Sequence, residues 1–160
     1  ARDVYGVSVS QKYPIIIGNA YPKDMDLWQS TNTIWASELF LEEQGSLILI
    51  SNGWDGHSAY PDFAERIGTD PDVLKAAFDR GEIGEKMTAI FGIGVGRFKR
   101  RFDMGLVSEG FNQTDADVMG FAYYDSVEQA LSHAFAKHGQ QAKVAVMTHG
   151  GITLPLLKSG

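Results

Sequence analysis

Short apolar runs of strand length alternate along this chain with stretches whose apolar residues recur at helical spacing. Val4 to Val9 reads as ordered alternation. Tyr13 to Gly18, rich in isoleucine, reads as a buried parallel strand. Tyr21-Pro22-Lys23-Asp24 breaks that strand with turn chemistry that leads into a helix. From Asp26 to about Glu43 the residues Leu27, Trp28, Ile34, Trp35, Leu39 and Leu41 follow a helical spacing, and Gly45 is expected to stop that helix. Ser46 to Ser51 is the next strand, with the loop Asn52 to His57 at its C-terminal end. Helices are expected over Tyr60 to Ile67, Pro71 to Arg80 and Gly84 to Phe102, the last weakened by Gly92, Gly94 and Gly96. Met104 to Ser108 reads as a strand, Thr114 to Met119 as a short helix and Phe121 to Tyr124 as a brief strand. Ser126 caps an amphipathic helix that runs to His138 and stops at Gly139. Lys143 to Thr148 is the last strand expected, followed at once by His149-Gly150-Gly151.

Strands alternating with helices imply an α/β fold in three layers, a mostly parallel sheet with helices on both faces, of Rossmann-like type. No repeat, low-complexity segment or linker divides the 160 residues, so one domain over 1–160 is expected. With no initiator Met, and with ordered alternation already at Val4, the chain reads as a piece of a longer protein.

Composition narrows the function classes. A formal charge of −6 gives no footprint for nucleic acid, and the cluster Arg97, Lys99, Arg100 and Arg101 reads as a solvated helix end. Cysteine is absent, which removes disulfides, thiolate metal sites and cysteine nucleophiles and suits a reducing cytoplasm. Apolar runs such as Leu47 to Ile50 are too short to span a membrane.

In open parallel sheets, ligands bind outside the carboxyl ends of the strands. That rule selects three loops: Asn19 to Asp24 with the helix start after it, Asn52 to His57, and His149 to Thr153. Trp28, Gln29 and Asn32 fall within about one helical turn of the first loop. An aromatic plate beside two amides suits a flat polar ligand, and packing of Trp28 in the core remains the equal alternative. His57 and His149 lie on loops but lack short-range ligand spacing, so no metal site is expected in this chain alone. His133 and His138 read as surface residues of the late helix. Phe91-Gly92-Ile93-Gly94-Val95-Gly96 has the glycines of a dinucleotide fingerprint inside a helical stretch, where close helix packing is the better reading. No nucleophile elbow or phosphate-binding Gly-Lys-Ser/Thr loop occurs. The residues alone reach a soluble α/β domain with a polar ligand-binding edge.

The run Asn19-Ala20-Tyr21-Pro22-Lys23-Asp24-Met25-Asp26-Leu27-Trp28-Gln29 resembles a segment of the C-terminal domain of the nickel-pincer lactate racemase family. Further resemblances follow in the family's order: Gly45 before Ser46 to Ile50, Asp55-Gly56-His57, the helix Ser126 to His138, and Val144 to Pro155. The resemblance implies an enzyme of two domains that inverts the α-carbon of a 2-hydroxy acid. A nickel-pincer nucleotide, the nickel ligand and two acid-base histidines would lie in an N-terminal catalytic domain, with none of the cofactor held by this domain alone. By the same resemblance this domain closes the cleft and lends cofactor and substrate contacts at Trp28, Gln29 and Asn32, with His57 beside them and no catalytic residue of its own. Asn32 stands where the family has a lysine, and no tryptophan occurs near Ile83 to Ile90. This departure leaves open a larger or differently charged acid, such as a sugar acid, or altered or lost activity. Two other readings stand beside it: a stand-alone, non-catalytic small-molecule-binding module, and an interaction domain docking through Ile93 to Phe98. The expected partners are the N-terminal domain and a small 2-hydroxy acid in the cytoplasm, with no nucleic acid and no membrane.

Overall fold

Ile15, Ile16 and Ile17 are all buried, which a strand achieves only when both faces of its sheet are covered. In the computed structural model, which describes residues 2–158, they lie in β2 (Tyr13–Asn19), after a short α1 (Arg2–Tyr5) and β1 (Gly6–Val9). The chain continues through α2 (Leu27–Glu38), β3 (Leu41–Ile50), α3 (Phe63–Gly68), α4 (Pro71–Asp79), α5 (Lys86–Arg101) and β4 (Asp103–Val107). It ends with α6 (Gln113–Met119), β5 (Ala122–Tyr123), α7 (Val127–His138), β6 (Val144–Met147) and β7 (Leu154–Leu157). The main sheet has the order β5-β4-β3-β2-β6, and every neighbouring pair is parallel.

Alternate residues of the strands feed two cores, as the period of two requires. Ile16, Leu47, Leu49 and Leu106 share one with Leu27 and Ile34 of α2, Phe63 of α3, Val95 and Phe98 of α5, and Met119 of α6. Ile15, Ile17 and Ile48 face Ala130 and Ala134 of α7 on the other side. Each fully buried Leu or Ile stabilises the fold by roughly 1.5–3 kcal/mol, so the two cores dominate its energetics. The three-layer, mostly parallel arrangement matches the expectation from sequence.

Two details differ from it, and a third bears out the helix reading of the glycine stretch. The helix α2 stops at Glu38 rather than Glu43, because β3 begins at Leu41, opposite Tyr13. The register then jumps so that Ile15 pairs with Ser46, and Glu42 to Gly45 bulge out with Gln44 at φ 61°. A Cβ on Gly45 would meet the Glu42 carbonyl oxygen at 2.8 Å, so the glycine serves a strand bulge and not a helix stop. The second difference is a separate two-stranded parallel sheet formed by β1 and β7, in register from Gly6↔Leu154 to Val9↔Leu157. Pro155 hides β7 from a sequence reading, and it is tolerated there because the sheet has edges on both sides. Third, α5 runs unbroken through its glycines. A Cβ on Gly92 would fall 2.6 Å from the Arg66 carbonyl oxygen, and one on Gly94 2.8 Å from the Trp35 ring. They are contact points for α3 and α2, as the helix-packing reading expected.

Candidate functional site

Because the five main strands run the same way, their C-terminal ends open on one edge. The strand order reverses between β2 and β6, the kind of place where such sheets take ligands. The loops meeting there are joined by backbone hydrogen bonds: Gly150 N–H donates to Asn19 O at 2.7 Å, and Gly53 N–H donates to Asp24 O at 2.8 Å. Asp24 is buried and accepts from Asn52 Nδ2 at 2.5 Å, while Ser30 and Ser51 share a hydrogen bond of 2.8 Å. These contacts tie the loop after β2 to the loop after β3.

The start of α2 is closed. Asp26 caps it by accepting from Gln29 N–H at 2.6 Å. The N–H groups of Leu27 and Trp28 donate to Gly56 O and His57 O at 3.1 and 3.0 Å. These helix-terminal donors are therefore spent on the protein rather than held out for an anion.

Trp28 stacks on Phe91 at 4.3 Å between centroids and also touches Tyr60 and Phe63. It is half-buried within an aromatic cluster, not a bare plate beside two amides. Gln29 is half-buried, and its side-chain amide has no hydrogen-bond partner among the described residues. Asn32 Nδ2 donates to Gln29 O at 2.7 Å, leaving Oδ1 as an acceptor. Its surroundings differ from those of Trp28: it borders a groove of about 420 Å³ with Tyr5, Trp35, Gly150, Gly151 and Leu154. His57 lies parallel to the Phe111 ring, 5.3 Å away with an interplanar angle of 2°. Its buried Nε2 makes no well-directed hydrogen bond and sits 3.3 Å from Asp115 Oδ1. Trp28, Gln29, Asn32 and His57 thus all lie near the predicted edge without converging on one point.

Exposed aromatic surface on this edge comes from residues the sequence reading passed over. Trp54 is 67% exposed at the tip of the second loop, and Tyr21 is 51% exposed with its ring edge-on to His149 at 5.3 Å. The signal for Trp54 was its setting between Gly53 and Gly56, both at positive φ.

The opposite edge accounts for the basic cluster. Arg100 binds Asp70 and Asp72 and holds the Asp70 carboxyl below its ordinary value, while Arg101 binds Glu38 and Glu43. Lys99 Nζ donates to Ile67 O at 2.8 Å and Met119 O at 2.6 Å, and burial lowers its pKa. Of the two histidines expected at the surface, His133 is exposed, whereas His138 is half-buried with Nε2 2.9 Å from Ser46 Oγ. Burial, with Lys137 beside it, lowers the His138 pKa. Among the described residues no group of three His, Cys, Asp or Glu is placed to hold a metal ion, and no helix is long and apolar enough to cross a membrane.

The sequence model of the lactate racemase C-terminal domain matches residues 10–154. The chain belongs to this family. Among solved structures, the lactate racemase apoprotein from Thermoanaerobacterium thermosaccharolyticum superposes with a TM-score of 0.80 at 21% identity, over 96% of this chain and 38% of that one. A protein from Thermotoga maritima superposes with a TM-score of 0.67 at 15% identity, over 98% of this chain and 40% of that one. At such identities the likeness concerns the fold, and this chain spans well under half the length of either relative. No curated protein matches the chain in sequence. In this lactate racemase C-terminal domain, the loop from Asn19 to Asp26 lies at the sheet's strand-order reversal.

Proposed function

We propose that this chain is the cleft-forming C-terminal domain of a cytoplasmic enzyme that racemises or epimerises 2-hydroxy acids with a nickel-pincer nucleotide. The observation that carries the reading is the family match over residues 10–154, on a chain whose loops after β2, β3 and β6 gather at one edge. By the family resemblance, the nickel ligand and the acid-base histidines belong to the N-terminal domain in this reading, and the present domain walls the cleft.

Three side chains are assigned roles in this reading. The unpartnered amide of Gln29 is free to bond a substrate hydroxyl or a cofactor oxygen. Asn32 presents Oδ1 as an acceptor and one Nδ2 hydrogen as a donor, because its own helix uses only the other. Such an amide bonds a substrate hydroxyl but supplies no charge where the family has a lysine. His57, held between Phe111 and Asp115, lines the same wall.

The test is metal content and intact mass of the full-length gene product, co-expressed with enzymes that make the cofactor. Near-stoichiometric nickel with a covalent mass increase, and inversion of a 2-hydroxy acid, support the reading. No nickel and no adduct overturn it in favour of a non-catalytic small-molecule-binding module.

A further inference from the structure

The substrate class just proposed is anionic, so the cleft wall needs charge complementary to a carboxylate. The inference that follows rests on that reading. The loops after β2, β3, β4 and β6 carry the carboxylates Asp24, Asp26, Asp55, Asp62 and Glu109. They contain a single lysine and no arginine. We propose that this residue, Lys23, grips the substrate carboxylate and sets the enzyme's preference for anions.

The placement of Lys23 supports this in three ways. Its backbone is held at the strand-order reversal, where the N–H donates to Ala20 O at 2.9 Å and the carbonyl lies 3.4 Å from Ser30 Oγ. The root of its side chain lies against the Gly150–Gly151 turn, where a Cβ on Gly151 would come within 2.9 Å of Lys23 Cβ. Asn32, the amide assigned to a substrate hydroxyl, borders the same turn. The Lys23 backbone and Asn32 therefore both border the Gly150–Gly151 turn.

The electrostatics agree. Lys23 makes no ion pair with the described carboxylates, in contrast to Arg66, Lys75, Arg80, Arg100, Arg101 and Lys137. Asp24 and Asp26, its neighbours in sequence, are engaged with Asn52 and with the start of α2. An ammonium on a flexible four-carbon stem makes a charge-assisted hydrogen bond to a carboxylate without needing the planar fork of arginine. Without Lys23, no lysine or arginine of these loops offsets their five carboxylates.

The experiment uses the full-length, cofactor-loaded enzyme with lactate, 2-hydroxyglutarate and gluconate, each read by chiral chromatography. Lys23→Gln is expected to raise KM for the preferred acid roughly ten-fold with kcat little changed, and Lys23→Arg to restore most of it. The wild-type KM should climb with ionic strength, and that dependence should flatten in Lys23→Gln. An unchanged KM and salt dependence in Lys23→Gln, with the wild type active, overturns the assignment of Lys23 alone. A wild type that turns over none of the acids overturns the functional reading, and the role of Lys23 falls with it.

Discussion

The ring of Phe111 is held between His57 and Gly53: the imidazole lies parallel to it at 5.3 Å, and a Cβ on Gly53 would come within 2.4 Å of its edge. The loop after β3 and the start of α6 are thereby fixed to each other. Asp115 secures the arrangement with both oxygens, one facing His57 Nε2 and the other accepting from Asn112 N–H at 2.9 Å. Asp115→Ala removes half of a capping box and the charge beside His57 together. A loss of about 1 kcal/mol is expected in urea unfolding, with broader averaging of the His57 ring signals in NMR. Unaltered stability and ring signals would show that His57 is held by Phe111 alone.

Gly92 and Gly84 should respond to alanine in opposite directions. Alanine in a helix interior gains roughly 1 kcal/mol over glycine, but at position 92 the new Cβ meets the Arg66 backbone oxygen at 2.6 Å. Backbone cannot swing aside, so the clash wins and Gly92→Ala should destabilise by about 1–3 kcal/mol. A Cβ on Gly84 meets nothing within 4 Å, and Gly84→Ala should stabilise by about 0.4–1 kcal/mol. Paired denaturation curves decide both.

Lys99 joins the C-terminal ends of α3 and α6 by donating to Ile67 O and Met119 O. Lys99→Met keeps the stem but removes the donors from both carbonyls. A cost of about 2–4 kcal/mol is expected, greater than for a typical surface lysine, for which changes of about 0.5 kcal/mol are usual. A thermal shift no larger than that of Lys86→Met would refute the bridging role.

The lowered pKa of His138 gives stability a pH dependence of definite sign. Its ordinary value is 6.5, so below that pH the unfolded chain takes up a proton that the folded chain resists. Stability from this site is present above about pH 6.5 and is lost as the pH falls from there toward the lower folded value. His138→Gln should flatten the slope of unfolding free energy between pH 8 and 5.5. The ion-paired carboxylates Glu43, Asp70 and Glu82 act only at still lower pH, near and below their ordinary values. An identical slope in wild type and variant would locate the effect elsewhere.

Gln29→Ala in the full-length enzyme should lower kcat/KM about ten-fold or more while leaving the unfolding midpoint within error, since no described residue bonds its side-chain amide. Unchanged kinetics would take Gln29 out of the site.

The sequence foretold the parallel sheet because its inner strands are continuous apolar runs, as in Ile15 to Ile17 and Leu47 to Ile50. It misplaced the end of α2 because Leu39 and Leu41 fit a helical spacing even though a strand bulge follows. β7 escaped notice because Pro155 argues against a central strand and says nothing about a two-stranded edge. At the candidate site, the motif from Asn19 to Gln29 located the loop, but not which side chains are exposed. Trp28 and Trp54 are the same residue type, yet only tertiary contacts put the first in an aromatic cluster and leave the second to solvent.

The parallel course of β1 and β7 also has a mechanical meaning. Chain leading into Gly6 and chain leading out of Leu157 lie at opposite ends of the pair, so a pull between them acts along the strands. The four registered residue pairs share that load together instead of parting one by one. Such a pull reaches the Gly150–Gly151 turn directly, because β7 begins only three residues beyond it. A force applied along this pair would thus be felt as tension at that turn.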